Sequence, residues 1–168
     1  MQPRRLLLIR HATAAGGPTD AERSLTTSGV RHAGAIGHWL RQGGLTPDRV
    51  LVSSARRAAQ TWEHAGAQLA SGPPPVTDLR IYDNTVEKLL AVIRENTDDV
   101  QTVAVVGHNP SIGALAAALD DGRGTAETRH AVVQGFPTGG VAVFVLPETF
   151  AAAAPGAATL SDFAVPGD

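Results

Sequence analysis

Leu6-Leu7-Leu8-Ile9-Arg10-His11 is a run of four bulky apolar residues that stops at an arginine and a histidine. A short apolar run bounded by charge reads as a buried strand. In open α/β sheets ligands bind in the crevice outside the carboxyl ends of the strands. His11 is therefore expected at the edge where such sheets do their chemistry.

The neighbouring pair has a physical use. An ordinary histidine titrates at about 6.5, so a neutral ring nitrogen is a competent nucleophile near neutral pH. A guanidinium beside it can hold a phosphoryl group through paired N–H donors. Taken alone, the pair is better read as a strand-end histidine bonded to a neighbour, and the remainder of the chain has to decide.

The 168 residues carry a formal net charge of −2 and no cysteine, which suits a single domain over 1–168 with a substantial core. Without cysteine there is no disulfide framework, thiolate nucleophile or cysteine metal site. Only Leu6 to Ile9 separate Arg4 and Arg5 from Arg10, too short a run for a signal peptide or a membrane span, and a cytoplasmic location is expected. No basic run suggests a nucleic-acid surface. Lys88 is the sole lysine, so any anion site must be built locally by a few arginines.

Downstream, Ala12 to Arg23 reads as a loop, either a flap or substrate-contacting edge beside His11 or a plain solvated connection. Thr26, Thr27 or Ser28 caps a helix carrying Val30, Ala33, Ile36, Gly37 and Leu40 at helical spacing, ended by Gly43-Gly44. His32 and His38 on it are too far apart in register to share a face. Arg49 to Ser53 is a second strand, and Ser53 or Ser54 caps the next helix, whose stripe is Ala58, Thr61, Ala65 and Leu69 with Trp62. Arg57 falls in its first turn, where a guanidinium can join the backbone N–H groups around an anion; Arg56 points to solvent.

Beyond the Gly72-Pro73-Pro74-Pro75 turn, Val76 to Leu79 is expected as a strand, and Asn84 with Glu87 forms a capping box opening a helix through Val86, Leu89, Leu90 and Ile93. Thr102 to Val106 is a β-branched buried strand. Asn109 and Pro110 suit the N-cap and first position of a helix bearing Ile112, Leu115, Ala116 and Leu119. His108 thus stands between a strand end and a helix start, as His11 does. Asp120 to Thr128 reads as a polar loop; Ala131 to Gln134, Gly140 to Leu146 and Thr159 to Val165 read as strands, with Phe150 to Ala158 a connecting helix or loop.

Arg10-His11, Arg57 and His108 lie at three strand-to-helix junctions about fifty residues apart, the interval at which successive helix-strand units return to one sheet edge. They are expected to converge. Here the sequence resembles the histidine phosphatase superfamily. Arg10-His11 matches the family's pair after the first strand. Ser53-Ser54-Ala55-Arg56-Arg57-Ala58-Ala59-Gln60-Thr61 is similar to its Ser-x-x-x-Arg-Ala-x-x-Thr, with Arg57 in register, and Val106-Gly107-His108-Asn109-Pro110 to its second-histidine motif. Arg23-Ser24-Leu25-Thr26 with Gly29, and Phe136-Pro137-Thr138-Gly139, are most similar to the small bacterial protein-phosphohistidine phosphatases.

The resemblance implies a three-layer α/β/α fold, phosphoglycerate mutase-like, around a mostly parallel sheet of about six strands. It implies attack by His11 on phosphorus, a phosphohistidine intermediate, and oxyanion binding by Arg10, Arg57 and His108, with Thr13 and Asn109 as further substrate contacts and neither metal nor cofactor. His11 would start neutral and His108 protonated, their proton affinities pushed apart.

Two features depart from the family pattern. Ala12 replaces the usual glycine, and positive φ there would be costly. No general acid is evident between the arginine and second-histidine motifs; Asp83 and Glu87 are the nearest candidates, each with a turn or cap explanation. A missing acid handicaps alkyl phosphates more than phosphohistidine, whose P–N bond breaks easily. The expected substrate is a phosphorylated protein, such as a phosphotransfer domain. A small phosphate ester is the nearer alternative; a mutase, or a non-catalytic phosphoprotein binder, is more remote. A monomer is expected.

Overall fold

In the computed structural model, which describes residues 3–167, the first strand is central to the sheet. β1 (Arg4–Arg10) alternates its apolar run between two faces. Leu6 and Leu8 enter one core cluster, and Leu7 and Ile9 enter the other. All four are fully buried. The first core is covered by α4 (Val86–Arg94) and α5 (Ser111–Leu119), through Leu89, Leu90, Ile93, Ile112 and Leu115. The second is covered by α1 (Thr27–Gln42) and α2 (Arg56–Gly66), through Ile36, Leu40, Ala58, Trp62 and Ala65. Apolar side chains on both faces require helices on both faces, which makes three layers.

With β2 (Arg49–Val52), β3 (Val76–Thr77), β4 (Thr102–Gly107), β5 (Val141–Leu146) and β6 (Thr159–Ala164), the sheet has six strands in the order β3-β2-β4-β1-β5-β6. β1 pairs in parallel with β4 from Arg5↔Thr102 to Arg10↔Gly107, and β4 pairs in parallel with β2. Only β5 runs against the others. The parallel strands β1, β4 and β2 therefore finish at one edge, where His11 N–H donates to Gly107 O (3.0 Å) and Ser53 N–H to Val106 O (3.1 Å).

Two glycines on α1 permit close approach. A Cβ on Gly29 would lie 2.1 Å from the Thr13 carbonyl oxygen, and one on Gly37 would lie 2.0 Å from that of Ala65. α1 is thereby pressed against both the His11 loop and α2.

Several expectations need correction. Residues 131–134 are not a strand but part of α6 (Ala126–Gln134). Thr125 caps it, accepting from Thr128 N–H, and Gly135 ends it at φ 147°. No α6 residue is buried, so its Ala131-Val132-Val133 run mimics a strand in composition while packing on one side only. Val76 to Leu79 is shorter as a strand, because the Asp78 side chain accepts from Arg80 N–H and starts α3 (Leu79–Tyr82). The cap of α4 is Thr85, accepting from Lys88 N–H, not an Asn84/Glu87 box. The cap position of α2 is Ala55, without a side-chain bond, and that of α5 is Pro110. Asn109 stands one residue before that cap position, yet its side chain still accepts from Gly113 N–H in the first turn of α5 (3.0 Å), whereas Ser53 turns out to have another partner. The Phe150 to Ala158 connection holds one 3-10 turn, Phe150–Ala152.

Candidate active site

The two histidines come from adjacent strands. Their rings lie 5.2 Å apart between centroids, tilted by 55°. Both are buried. His11 Nδ1 is 2.7 Å from the Ala12 carbonyl oxygen. A carbonyl can only accept, so Nδ1 carries the proton and Nε2 keeps its lone pair, the arrangement a nucleophile requires. His108 Nε2 lies 2.7 Å from Ser53 Oγ, while its Nδ1 is buried without a protein partner.

Two guanidiniums complete the group. Arg10 Nη1 donates to Phe136 O (2.9 Å). Arg57, buried in the first turn of α2, donates from Nη1 to Asp20 O (2.8 Å) and from Nη2 to Asp20 Oδ2 (3.2 Å). Arg56 is exposed. Thr61 joins the elements: its hydroxyl donates to Arg57 O (2.7 Å) and accepts from Ala12 N–H (3.0 Å). Ala12 is fully buried in this link, and no non-glycine residue among those described has positive φ, so alanine there is unstrained.

Electrostatics correct one expectation. Burial first, then the positive field of Arg57 and Arg10, pushes His11 down to about 4 despite its bond to Ala12 O. His108 is also pushed down to about 4, by burial first and then by His11 and Arg57. The pocket does not separate the two rings; it keeps both neutral near pH 7.

The remaining proposed residues are placed differently. Thr13 Oγ1 lies 3.2 Å from Thr138 Oγ1. Asn109 Nδ2 donates to Phe136 O (2.8 Å), the acceptor used by Arg10, and its Oδ1 accepts from Gly113 N–H (3.0 Å). Neither bonds to His11, Arg10, Arg57 or His108. The acid candidates lie elsewhere too. The Asp83 side chain is 93% exposed and faces Lys88, and Glu87 is exposed on α4.

The carboxylate that does reach the site is Asp20, missed in the sequence. It sits in the Ala12 to Arg23 loop, held by Arg57, by Arg23 Nη1 (3.3 Å) and by the Tyr82 hydroxyl (2.6 Å). Tyr82 also packs edge-on to His108, with centroids 5.8 Å apart. The Tyr82 hydroxyl, then Arg57 and Arg23, draws Asp20 down to about 2, so it is an anion and not an acid. Only the loop's position beside His11 hinted at it. Among the described residues, no group of three or more His, Cys, Asp or Glu is placed to hold a metal ion.

Comparison with known proteins is consistent with this geometry. The family model for the histidine phosphatase superfamily, branch 1, matches residues 6–83. A solved structure from Nakamurella multipartitia, named as a candidate phosphohistidine phosphatase SixA, superposes with a TM-score of 0.88 at 31% identity, over 100% of this chain and 99% of that one. The chain belongs to the histidine phosphatase superfamily. Within that superfamily it is also similar to the protein histidine phosphatase SixA solved with tungstate, at 27% identity and a TM-score of 0.79, over 96% of this chain and 97% of that one. Phosphohistidine phosphatase SixA of Escherichia coli (strain K12) is 29% identical over 126 residues, 70% of this chain and 74% of that protein. The uncharacterized protein Rv1276c of Mycobacterium tuberculosis (strain H37Rv) is 37% identical over 161 residues, 94% of this chain and 99% of that protein.

Proposed function

We propose that the chain is a phosphatase that takes phosphate from phosphohistidine on another protein, through a phosphohistidine of its own. The observation that carries this is His11, with Nε2 free for attack, 5.2 Å from His108 and in the field of Arg10 and Arg57. His11 Nε2 forms a bond to phosphorus as the substrate's P–N bond breaks, and the leaving imidazole keeps the electron pair and takes a proton. Water then attacks phosphorus, the P–Nε2 bond breaks, and phosphate departs. Arg10, Arg57 and His108 hold the equatorial oxygens, so catalysis is positioning and charge neutralisation.

Three features support a phosphohistidine substrate. The only carboxylate among the described residues that bonds to the site arginines is ionised Asp20, which leaves no strong acid for an alkoxide leaving group. An open depression of about 690 Å³ lined by Arg10, Asn109, Phe136, Pro137 and Phe163 lies beside the site, a surface that a protein partner could contact. A similar curated sequence is named phosphohistidine phosphatase SixA, and a similar solved structure named protein histidine phosphatase SixA holds tungstate, an oxyanion of phosphate-like shape. A monomeric, cytoplasmic enzyme without metal or cofactor is part of the same proposal.

The test is turnover of three substrates by the purified protein: a phosphorylated phosphotransfer domain, p-nitrophenyl phosphate and sugar phosphates. The first should have the highest kcat/KM. A preference for sugar phosphates would make the chain a small-molecule phosphomonoesterase, and phosphoprotein binding without turnover would make it a binding module.

The lowered histidines set the pH dependence. Because His11 must be neutral, the acid limb of kcat/KM should fall near pH 4 and not near 6.5, once substrate ionisation is accounted for. Both rings lie below their unfolded value, so the unfolded chain binds more protons between pH 6.5 and 4. Their contribution to stability is full above 6.5 and declines as pH falls through that window. A pH–rate profile with a limb near 6.5 would contradict this.

A further inference from the structure

Ser53 is fully buried, and its side chain caps no helix. Its Oγ accepts from Ala55 N–H (3.2 Å) and lies 2.7 Å from His108 Nε2. A serine hydroxyl has one proton to give, and a buried O–H without an acceptor is destabilising. Among the described residues, Ser53 Oγ has no third hydrogen-bond partner, so His108 Nε2 is the acceptor available to that proton. If Nε2 carried the ring proton instead, both N–H groups would point at Ser53 Oγ and its own proton would be stranded.

We infer that Ser53 is a positioning residue that holds His108 with its ring proton on Nδ1, so that the neutral ring donates to the phosphoryl oxygens. Nδ1 is the nitrogen without a protein partner, on a ring that faces His11. An imidazole in the other tautomer would present a lone pair to the phosphate and repel it. The device reconciles two facts: His108 is kept neutral by burial and by the surrounding cations, yet a site for a dianion needs a donor at this position. A neutral histidine side chain in water favours a proton on Nε2, so the hydroxyl has to reverse an intrinsic preference.

This rests on the phosphatase reading for the role of His108, but its test does not depend on turnover. A long-range 1H–15N correlation spectrum of the 15N-labelled protein at pH 7 distinguishes the two neutral tautomers and the imidazolium. Loss of signals in His108→Gln assigns the ring. The expected result is a neutral His108 protonated at Nδ1, moving toward the Nε2-protonated form in Ser53→Ala. That variant should lose about 100-fold in kcat, the scale of one misdirected oxyanion donor, with a smaller change in KM. A wild-type His108 that is an imidazolium, or is protonated at Nε2, overturns the inference even if Ser53→Ala fails to fold. So does a folded Ser53→Ala that keeps the Nδ1 proton and the wild-type kcat. Either result leaves the phosphatase reading to be judged by wild-type turnover alone.

Discussion

Replacing His11 by alanine is expected to reduce turnover of a phosphorylated substrate about 10⁴-fold or more, the scale of losing a covalent nucleophile. It should also abolish the phosphoadduct, which in the wild type is acid-labile and alkali-stable as a phosphohistidine is. The reason is geometric. His11 Nδ1 is committed to the Ala12 carbonyl, so Nε2 is the nitrogen available for attack. Because Arg10, Arg57 and His108 remain, affinity for an oxyanion that forms no bond to the nucleophile, such as sulfate, should change far less than kcat. Single-turnover labelling with a 32P-phosphorylated protein, quenched in alkali, reads both effects. An adduct of undiminished yield in His11→Ala would place the nucleophile elsewhere. His11→Asn, which keeps more of the buried volume, checks that the loss is chemical and not a collapse of the pocket.

Arg57→Ala should cost about 10³-fold in kcat/KM, within the range for arginines that stabilise a transferring phosphoryl group. This guanidinium both faces the histidine pair and neutralises Asp20. Removing it leaves an ionised carboxylate at the pocket with only Arg23 and Tyr82 to restrain it, so an incoming dianion meets repulsion as well as a missing donor. KM should therefore rise along with the fall in kcat. Asp20→Asn in the same chain should recover part of the KM and little of the kcat. Arg57→Lys should remain well below wild type, because a point charge cannot reproduce the paired donors of the fork. Steady-state kinetics of the three variants against the wild type decide it; a double variant no better than Arg57→Ala would mean that Asp20 repulsion contributes nothing.

The parts of this molecule readable from sequence are those where several physical signals coincide. β1 is both apolar and abruptly terminated, and Arg57 is distinguished from Arg56 by motif register and by its place in the first turn of α2. The misread parts have local signals that compete. Asn84 and Glu87 satisfy the pattern of a capping box, yet Asn84 instead donates to Ile81 O and accepts from Ser111, and Thr85 takes the cap. The β-branched residues of α6 favour a strand, but Thr125 and Gly135 bracket a helix there. Asp20 and Tyr82 could not be assigned to the site because they are 62 positions apart and meet only through a loop without periodicity. Ser53 illustrates a third kind of miss: a residue type with an obvious local use has a long-range one instead.

Pairing β1 with β4 has a consequence for how far the chain can diverge while keeping its site. Neighbouring strands stand about 4.8 Å apart by virtue of their backbone hydrogen bonds. His11 and His108 each follow one member of a pair in register to its last residues, Arg10↔Gly107. The gauge of the slot between the imidazoles is thus inherited from main-chain geometry, which is indifferent to side-chain identity elsewhere. Loops and helix surfaces can be rewritten freely without altering that gauge, whereas inserting a single residue into either strand would throw the rings out of step.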